Sequence, residues 1–186
     1  MKADRSIRLS RRELIAGALT LIATPAIVHA DGARRNISSF RTHRWRDHFD
    51  RIGNGIIIAD TTSRMLQHWT EEGEMRIYPT SVPLTEDLTR RGYTEVVEKR
   101  KNPGWGPTAS MRERDPTLPV YVEGGDPRNP LGTRALYLSW QFYRIHGTQD
   151  TRKIGRRSSS GCIGLYNRQI EEVYDRAPVG TQVKLI

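Results

Sequence analysis

The 186-residue chain contains a single cysteine, Cys162, so it cannot form an internal disulfide. The histidines His43, His48 and His68 have no cysteine or carboxylate near them at a spacing typical of metal ligands, and the sequence therefore predicts no metal site. Zinc-finger, helix-turn-helix and aromatic RNA-binding motifs are also missing, which argues against nucleic acid as a partner. Internal repeats and low-complexity tracts are absent, and the length favours one catalytic domain.

The formal net charge is +9, with 30 lysines and arginines against 21 acidic residues. Residues 1–30 hold five of the basic side chains and two of the acidic ones, so the rest of the chain is still basic. A basic surface suits nucleic acid, anionic lipid or an anionic polymer such as the cell wall. Charge alone does not choose among these partners.

The sequence also lacks a long uninterrupted apolar run. The best candidate, residues 14–28, is broken by glycine, threonine and proline and is too short for a good membrane span. It follows Arg11-Arg12 and ends at Val28-His29-Ala30, a pattern that predicts a twin-arginine signal peptide over residues 1–30, cleaved before Asp31. The alternatives are a membrane anchor or a buried helix. We expect an exported, periplasmic protein that has no membrane contact after cleavage.

Beyond the leader, the pattern is that of a mainly β protein. Residues 31–53 form a basic linker whose aromatics could pack onto the domain. Short alternating or apolar segments predict strands at residues 55–60 and 64–69, which form a hairpin, and at residues 75–78, 93–99, 135–140, 142–146 and 181–186. The proline-rich residues 102–132 are expected to be mostly irregular. Asn167 is predicted to cap a short helix with Ile170, Val173 and Tyr174 on one face, closed by Pro178 and Gly180.

Two segments could carry chemistry: residues 143–148, which contain His146, and residues 158–165, which contain Cys162. A thiol becomes a nucleophile as its thiolate, and a neutral imidazole within hydrogen-bond reach can take the proton. Gly161 would permit a tight turn, and the N–H groups of Gly161 and Cys162 could form an oxyanion hole. By spacing alone this signal is weak, and a buried cysteine with a structural histidine is the more common arrangement.

These two segments resemble the signature of the L,D-transpeptidase catalytic domain, in which a His-Gly dipeptide precedes a Ser-x-Gly-Cys loop. The similarity extends to residues 129–138, more loosely to residues 102–107, and to residues 179–183. The resemblance covers roughly residues 54–186, which we take as the catalytic domain.

The resemblance implies a β-sandwich-like fold with a short C-terminal helix before the last strand. It implies that Cys162 is the nucleophile, that His146 is the general base and that the Gly147 carbonyl orients the imidazole. In this family the cysteine attacks the third residue of a peptidoglycan stem peptide, expels D-alanine and passes the acyl group to an amine. This chemistry serves cell-wall biogenesis and cell shape, and it requires no metal or organic cofactor. The expected partners are peptidoglycan stem peptides, and we expect a monomer.

Four further residues are candidates for substrate binding: Tyr143, Ser160, Arg157 and Trp105. Tyr143 could instead be a core residue, Ser160 a turn residue, Arg157 part of a solvated basic loop with Arg156, and Trp105 a loop anchor. The family commonly has arginine two residues after the cysteine, where this chain has Gly164. Glycine cannot make the forked hydrogen bonds of arginine, so Arg156 or Arg157 could substitute.

Three other outcomes remain open. Water could capture the thioester, which would make the protein an L,D-carboxypeptidase. The acceptor could be an amine of an outer-membrane protein, which would attach that protein to peptidoglycan. Because of Gly164, the domain could also be a catalytically silent wall-binding module.

Overall fold

The computed structural model describes residues 41–186, so the signal peptide predicted for residues 1–30 lies outside the described residues. The strands are β1 (Ile56–Asp60), β2 (Met65–Trp69), β3 (Met75–Pro79), β4 (Val82–Pro83), β5 (Gly92–Lys101), β6 (Arg134–Leu138), β7 (Arg144–Thr148), β8 (Arg157–Ser159), β9 (Ile163–Tyr166) and β10 (Gln182–Leu185). The α-helices are α1 (Ala109–Arg114) and α2 (Asn167–Arg176), and short 3₁₀ turns lie at Trp45–Asp47 and Thr151–Lys153.

Eight strands form one mixed sheet in the order β3-β2-β1-β10-β5-β6-β7-β9, and β4 pairs with β8 in a small parallel sheet. The long strand β5 belongs to both halves of the large sheet. Its residues 92–95 pair with β10, its residues 96–101 pair with β6, and the register shifts between Val96 and Glu98. Such an irregularity bends a strand. Residues from both halves contribute to one main core, so the sheet folds around that core.

Strand β1 contains three consecutive isoleucines, which are buried on both faces of the sheet. Ile57 belongs to the main core, whereas Ile56 and Ile58 point to the other face and join a second cluster. The second cluster is covered by the chain that leads into the domain, through Trp45, Phe49 and Ile52. A strand buried on both faces reads as continuously apolar, which is the pattern of β1.

Helix α2 packs on the main-core face of β6, β7 and β9. Ile170 and Val173 are fully buried there, and Tyr174 packs partly buried against them, as their helical spacing predicted. The helix therefore supports the strands that carry the candidate catalytic residues from the side opposite the candidate site.

The mainly β class and the helix before the last strand are confirmed, and β1 and β2 form the expected antiparallel hairpin. Three details differ from expectation. Strands β4, β8 and β9 and helix α1 were not anticipated, because they are short. Pro79 lies at the end of β3 rather than beyond it. Asn167 is the first residue of α2 and provides no capping bond for it; its Oδ1 instead accepts from the backbone N–H of Thr133 at 3.2 Å.

No helix within residues 41–186 is long and apolar enough to cross a membrane.

His68 on β2 gives the fold a testable pH dependence. Only 1% of the residue is exposed, and neither ring nitrogen has a hydrogen-bond partner within the described residues. Burial, and to a lesser degree the charge of Arg176, lowers the pKa of His68 to about 4, compared with about 6.5 in an unfolded chain. The unfolded state therefore binds more protons between these values. Acidification from pH 6.5 to pH 4 lowers the free energy of unfolding by about 3 kcal/mol at most through this residue.

We expect His68→Leu to unfold at higher urea concentration than the wild type at pH 5, with a smaller difference at pH 7.5, as monitored by tryptophan fluorescence. Gln67→Leu on the same strand is the control, because its buried side chain does not titrate. It should change stability equally at both pH values. If lowering the pH from 7.5 to 5 reduces the stability of His68→Leu as much as that of the wild type, the prediction is wrong.

Candidate functional site

Cys162 lies in the tight connection between β8 and β9, directly before the first residue of β9. Strand β9 runs parallel to β7, and this register places His146 opposite Gly164, two residues beyond the cysteine. Gly161 has a φ of +130°, a conformation that side-chain-bearing residues rarely adopt, so a glycine is required there for the chain to turn into β9. The sheet therefore brings the loop that carries the sulfur beside the strand that carries the imidazole.

The imidazole of His146 is buried, and its Nδ1 lies 2.5 Å from the carbonyl oxygen of Gly147. Since a carbonyl can only accept, Nδ1 carries the hydrogen and Nε2 is left with a lone pair. Burial lowers the pKa of His146 to about 4; the bond to Gly147 opposes this effect, and the charges of Arg144 and Lys153 add to it. The imidazole is therefore neutral at physiological pH, which is the state that a general base needs.

The thiol of Cys162 is half-buried and is oriented toward the start of β7, where its Sγ lies 3.5 Å from the carbonyl oxygen of Phe142. Burial raises the pKa of the Cys162 thiol, while the charge of Arg144 and hydrogen bonds from its backbone and side chain lower it. In the resting state the thiol of Cys162, the neutral imidazole of His146 and the cation of Arg144 all line one cavity.

Cys162 and His146 line one cavity of about 670 Å³. The basic residues in its wall are Arg114, Arg128, Arg144 and Lys153, and no acidic residue lines it among the described residues. Arg128 is paired with Asp126. The other three have no carboxylate partner within residues 41–186, so the cavity favours an anionic ligand.

The proline-rich segment 102–132 forms the outer wall of this cavity. It is irregular as expected, apart from α1, and the buried Asn129 organises it. The Asn129 amide donates to the carbonyls of Pro103 and Glu123, and its Oδ1 accepts from the N–H of Leu131. This wall approaches the cysteine loop where Arg114 Nη2 lies 3.5 Å from Ser160 Oγ.

The structure brings together some of the substrate-binding candidates and separates others. Trp105 and Ser160 line the cavity with Cys162. Tyr143 does not line it; its ring lies beneath Gly161, packs edge-on against Trp140, and its hydroxyl donates to the Leu88 carbonyl. Arg157 is also outside the wall, because Glu86 holds its guanidinium at 2.9 Å.

Sequence reasoning missed Ser159 and Ser81. The Ser159 hydroxyl donates to the Cys162 carbonyl at 2.5 Å and lies 3.4 Å from the N–H of Gly161, so it braces the turn that holds the cysteine. Ser81 is buried, lines the cavity and pairs with Gly164 through both backbone groups. No local motif marks Ser81, because its importance depends on a contact across 83 residues of chain.

The structure gives a steric reason for a glycine at position 164. A Cβ atom added there would overlap the Ser81 hydroxyl and lie 3.7 Å from Cε1 of His146. A side chain at position 164 would thus compete with Ser81 for the space beside the imidazole.

No group of three or more histidine, cysteine or acidic side chains in the described part of the chain is arranged to hold a metal ion.

The chain is similar to proteins of a single family. The family model of the L,D-transpeptidase catalytic domain, YkuD, matches residues 54–185. A Fuscovulum blasticum protein from the ATP synthase subunits region, provisionally named an L,D-transpeptidase, is 54% identical over 178 residues and is matched over 93% of each chain. ErfK/SrfK of Escherichia coli K12, also provisionally named an L,D-transpeptidase, is 33% identical over 74% of this chain. The match covers 45% of ErfK/SrfK, so the chain spans less than half of that relative.

Among solved structures, L,D-transpeptidase 3 from Mycobacterium tuberculosis superposes with a TM-score of 0.60. The match covers 72% of this chain and 61% of that one at 14% identity, which is a likeness of fold.

The contact between Ser81 and position 164 can be tested with a double-mutant cycle. We expect Gly164→Ala to destabilise the protein by about 1 kcal/mol, because the Ser81 hydroxyl must leave its rotamer. In a Ser81→Ala background the same change should cost clearly less, since the overlapping oxygen is gone. Thermal unfolding of the four proteins measures the coupling. Equal costs in both backgrounds would show that Ser81 does not limit position 164.

Proposed function

Because this chain belongs to the L,D-transpeptidase family, we propose that it is a peptidoglycan L,D-transpeptidase in which Cys162 forms a thioester with the third residue of a donor stem peptide. The main support is the shared cavity, which is lined by a lone thiol and by an imidazole that burial keeps neutral. A neutral imidazole beside an accessible thiol is the minimal nucleophile and base.

The proposed reaction begins with transfer of the Cys162 proton to Nε2 of His146. The sulfur attacks the carbonyl carbon of the third stem residue and forms a tetrahedral oxyanion. The imidazolium then gives its proton to the leaving nitrogen, the amide bond breaks, and D-alanine departs, leaving the thioester. In the second half His146 takes a proton from an acceptor amine, the amine attacks the thioester, and the sulfur leaves and regains the proton.

The Gly147 carbonyl holds the imidazole for both steps. It accepts the Nδ1 hydrogen and fixes the tautomer in which Nε2 can receive a proton. The backbone of His146 is held in place because β7 pairs with β6 and β9 and is backed by α2.

We also propose that the backbone N–H groups of Gly161 and Cys162 stabilise the oxyanion. The N–H of Gly161 makes only a long contact of 3.4 Å with Ser159, which a substrate oxygen could replace at small cost. Ser159 would then maintain the turn through its bond to the Cys162 carbonyl.

The charge of the cavity fits the proposed substrate. Stem peptides carry carboxylates, and the unpaired basic residues Arg114, Arg144 and Lys153 line the cavity without an acidic neighbour in its wall. We further infer that the protein acts outside the cytoplasm, where peptidoglycan is assembled, after export by the predicted signal.

Acylation by a carbapenem tests the nucleophile and base. We expect the intact mass of the wild-type protein to increase by one carbapenem, and Cys162→Ala to gain none. His146→Gln should react about 100-fold more slowly or less, because general base catalysis is lost. His48→Gln is the matched control, since His48 does not line the cavity, and it should react at the wild-type rate. A folded wild-type protein that forms no adduct would favour a silent wall-binding module.

The fate of the thioester can be measured by incubating the protein with tetrapeptide-containing muropeptides. We expect D-alanine release together with new cross-linked dimers, and neither product with Cys162→Ala. Shortened stems without dimers would identify an L,D-carboxypeptidase. The protein could also release D-alanine, form few dimers and couple stems to an added protein amine. That result would favour attachment of proteins to peptidoglycan.

A further inference from the structure

Arg144 contributes to the charge of the cavity, but no step of the proposed reaction uses it. It is on β7, two residues before His146, so the two side chains share one face of the strand. Both line the cavity that contains Cys162. Position 164 on the neighbouring strand, opposite His146, carries no side chain. Of these two paired strands, β7 rather than β9 therefore contributes an arginine to the cavity.

The side chain of Arg144 is held by stacking rather than by an ion pair. Its guanidinium lies 4.8 Å from the ring centre of Tyr137, the residue opposite it on β6. Arg100 approaches the same ring at 4.8 Å. Arg144 has no carboxylate partner within the described residues, and its buried Nε has no hydrogen-bond partner there. Stacking on an aromatic ring fixes a guanidinium while leaving its charge uncompensated.

The sulfur of Cys162 is placed to receive this charge. Its contact with the Phe142 carbonyl places it at the N-terminal end of β7, two residues before Arg144. Burial raises the pKa of the Cys162 thiol, and the charge of Arg144 lowers it. The thiol donates to the Phe142 carbonyl in the resting state, and once the proton has left, a cation that lines the same cavity favours the thiolate.

We propose that Arg144 is a further catalytic residue, whose guanidinium stabilises the Cys162 thiolate when His146 takes the proton and again when the thioester is broken. This inference rests on the proposed role of Cys162 as the nucleophile. The proton travels between Sγ and Nε2 as in the reaction above, and Arg144 keeps its own protons throughout.

The same cation affects His146 in the opposite sense, since it disfavours the imidazolium. Arg144 therefore favours the thiolate and disfavours the imidazolium, and the proposal requires the first effect to exceed the second. A less stable imidazolium also gives its proton more readily to the leaving amine. The remaining charged or titratable groups near the sulfur are Lys153 and Arg114 in the cavity wall and Tyr143 behind Gly161, and none of these is acidic at neutral pH.

The test uses the fact that Cys162 is the only cysteine in the chain. The rate of alkylation by iodoacetamide, measured by intact mass as a function of pH, gives the pKa of this thiol without any stem peptide. We expect Arg144→Gln to raise the thiol pKa by about one unit and to slow alkylation at pH 7 about tenfold, since alkylation follows the thiolate fraction. Arg144→Lys should recover part of the shift.

Two matched variants separate a charge effect from a packing effect. Arg100→Gln removes the other arginine from the Tyr137 ring, and Arg114→Gln removes another cation from the cavity wall; both should keep the wild-type thiol pKa. If Arg144→Gln does not fold, the Tyr137→Leu variant provides the test. It keeps the charge of Arg144 but removes the ring that holds the guanidinium. We expect it to raise the thiol pKa by less than about one unit. An unchanged thiol pKa in the Arg144 or Tyr137 variant, or an equal rise in Arg100→Gln, would overturn the proposal.

These results are independent of transpeptidation. If the protein cross-links stems and its thiol pKa is the same with and without Arg144, this inference is wrong and the proposed function stands. A thiol pKa that depends on Arg144 in a protein that never releases D-alanine would do the reverse.

Discussion

The parallel pairing of β7 with β9 is the constraint on which the candidate site depends. It aligns His146 with Gly164 and so brings the turn that contains Cys162 to the strand that contains the imidazole. Because side chains alternate along a strand, a slip of one residue would direct His146 into the core and Ile145 into the cavity. Helix α2 follows β9 directly and packs behind both strands, so the same chain segment that delivers the cysteine also fixes the register.

Burial sets the chemistry of this site in two opposed ways. Burial keeps the imidazole neutral, as a general base requires. It also favours the protonated thiol, which is a poor nucleophile. Charged and dipolar groups must offset the second effect locally. Arg144 lines the same cavity as the thiol and its charge lowers the pKa of Cys162, while Arg157, close in sequence, is paired with Glu86. Proximity along the chain is therefore a poor guide to which cation matters.

Much of the fold could be predicted because its signals are local. The β1–β2 hairpin, the strand pattern and the apolar face of α2 each depend on residues within a few positions of one another, and all three were found. Strands β4, β8 and β9 were not, because two to four residues carry no clear periodic pattern and their pairing is long-range. Asn167 was misassigned for a similar reason: its amide is used by Thr133, a partner from another part of the chain.

The chemistry available to the protein can be read from its residues without any structure. A single thiol, a His-Gly dipeptide and a glycine before the cysteine are chemical identities, and they are present whatever the chain does in space. Which groups meet depends on tertiary packing: Ser81 fills the space that a side chain at Gly164 would need, Ser159 braces the turn, and Arg144 lines the same cavity as the sulfur. These contacts follow from strand register and burial, which arise only when distant segments pack against each other.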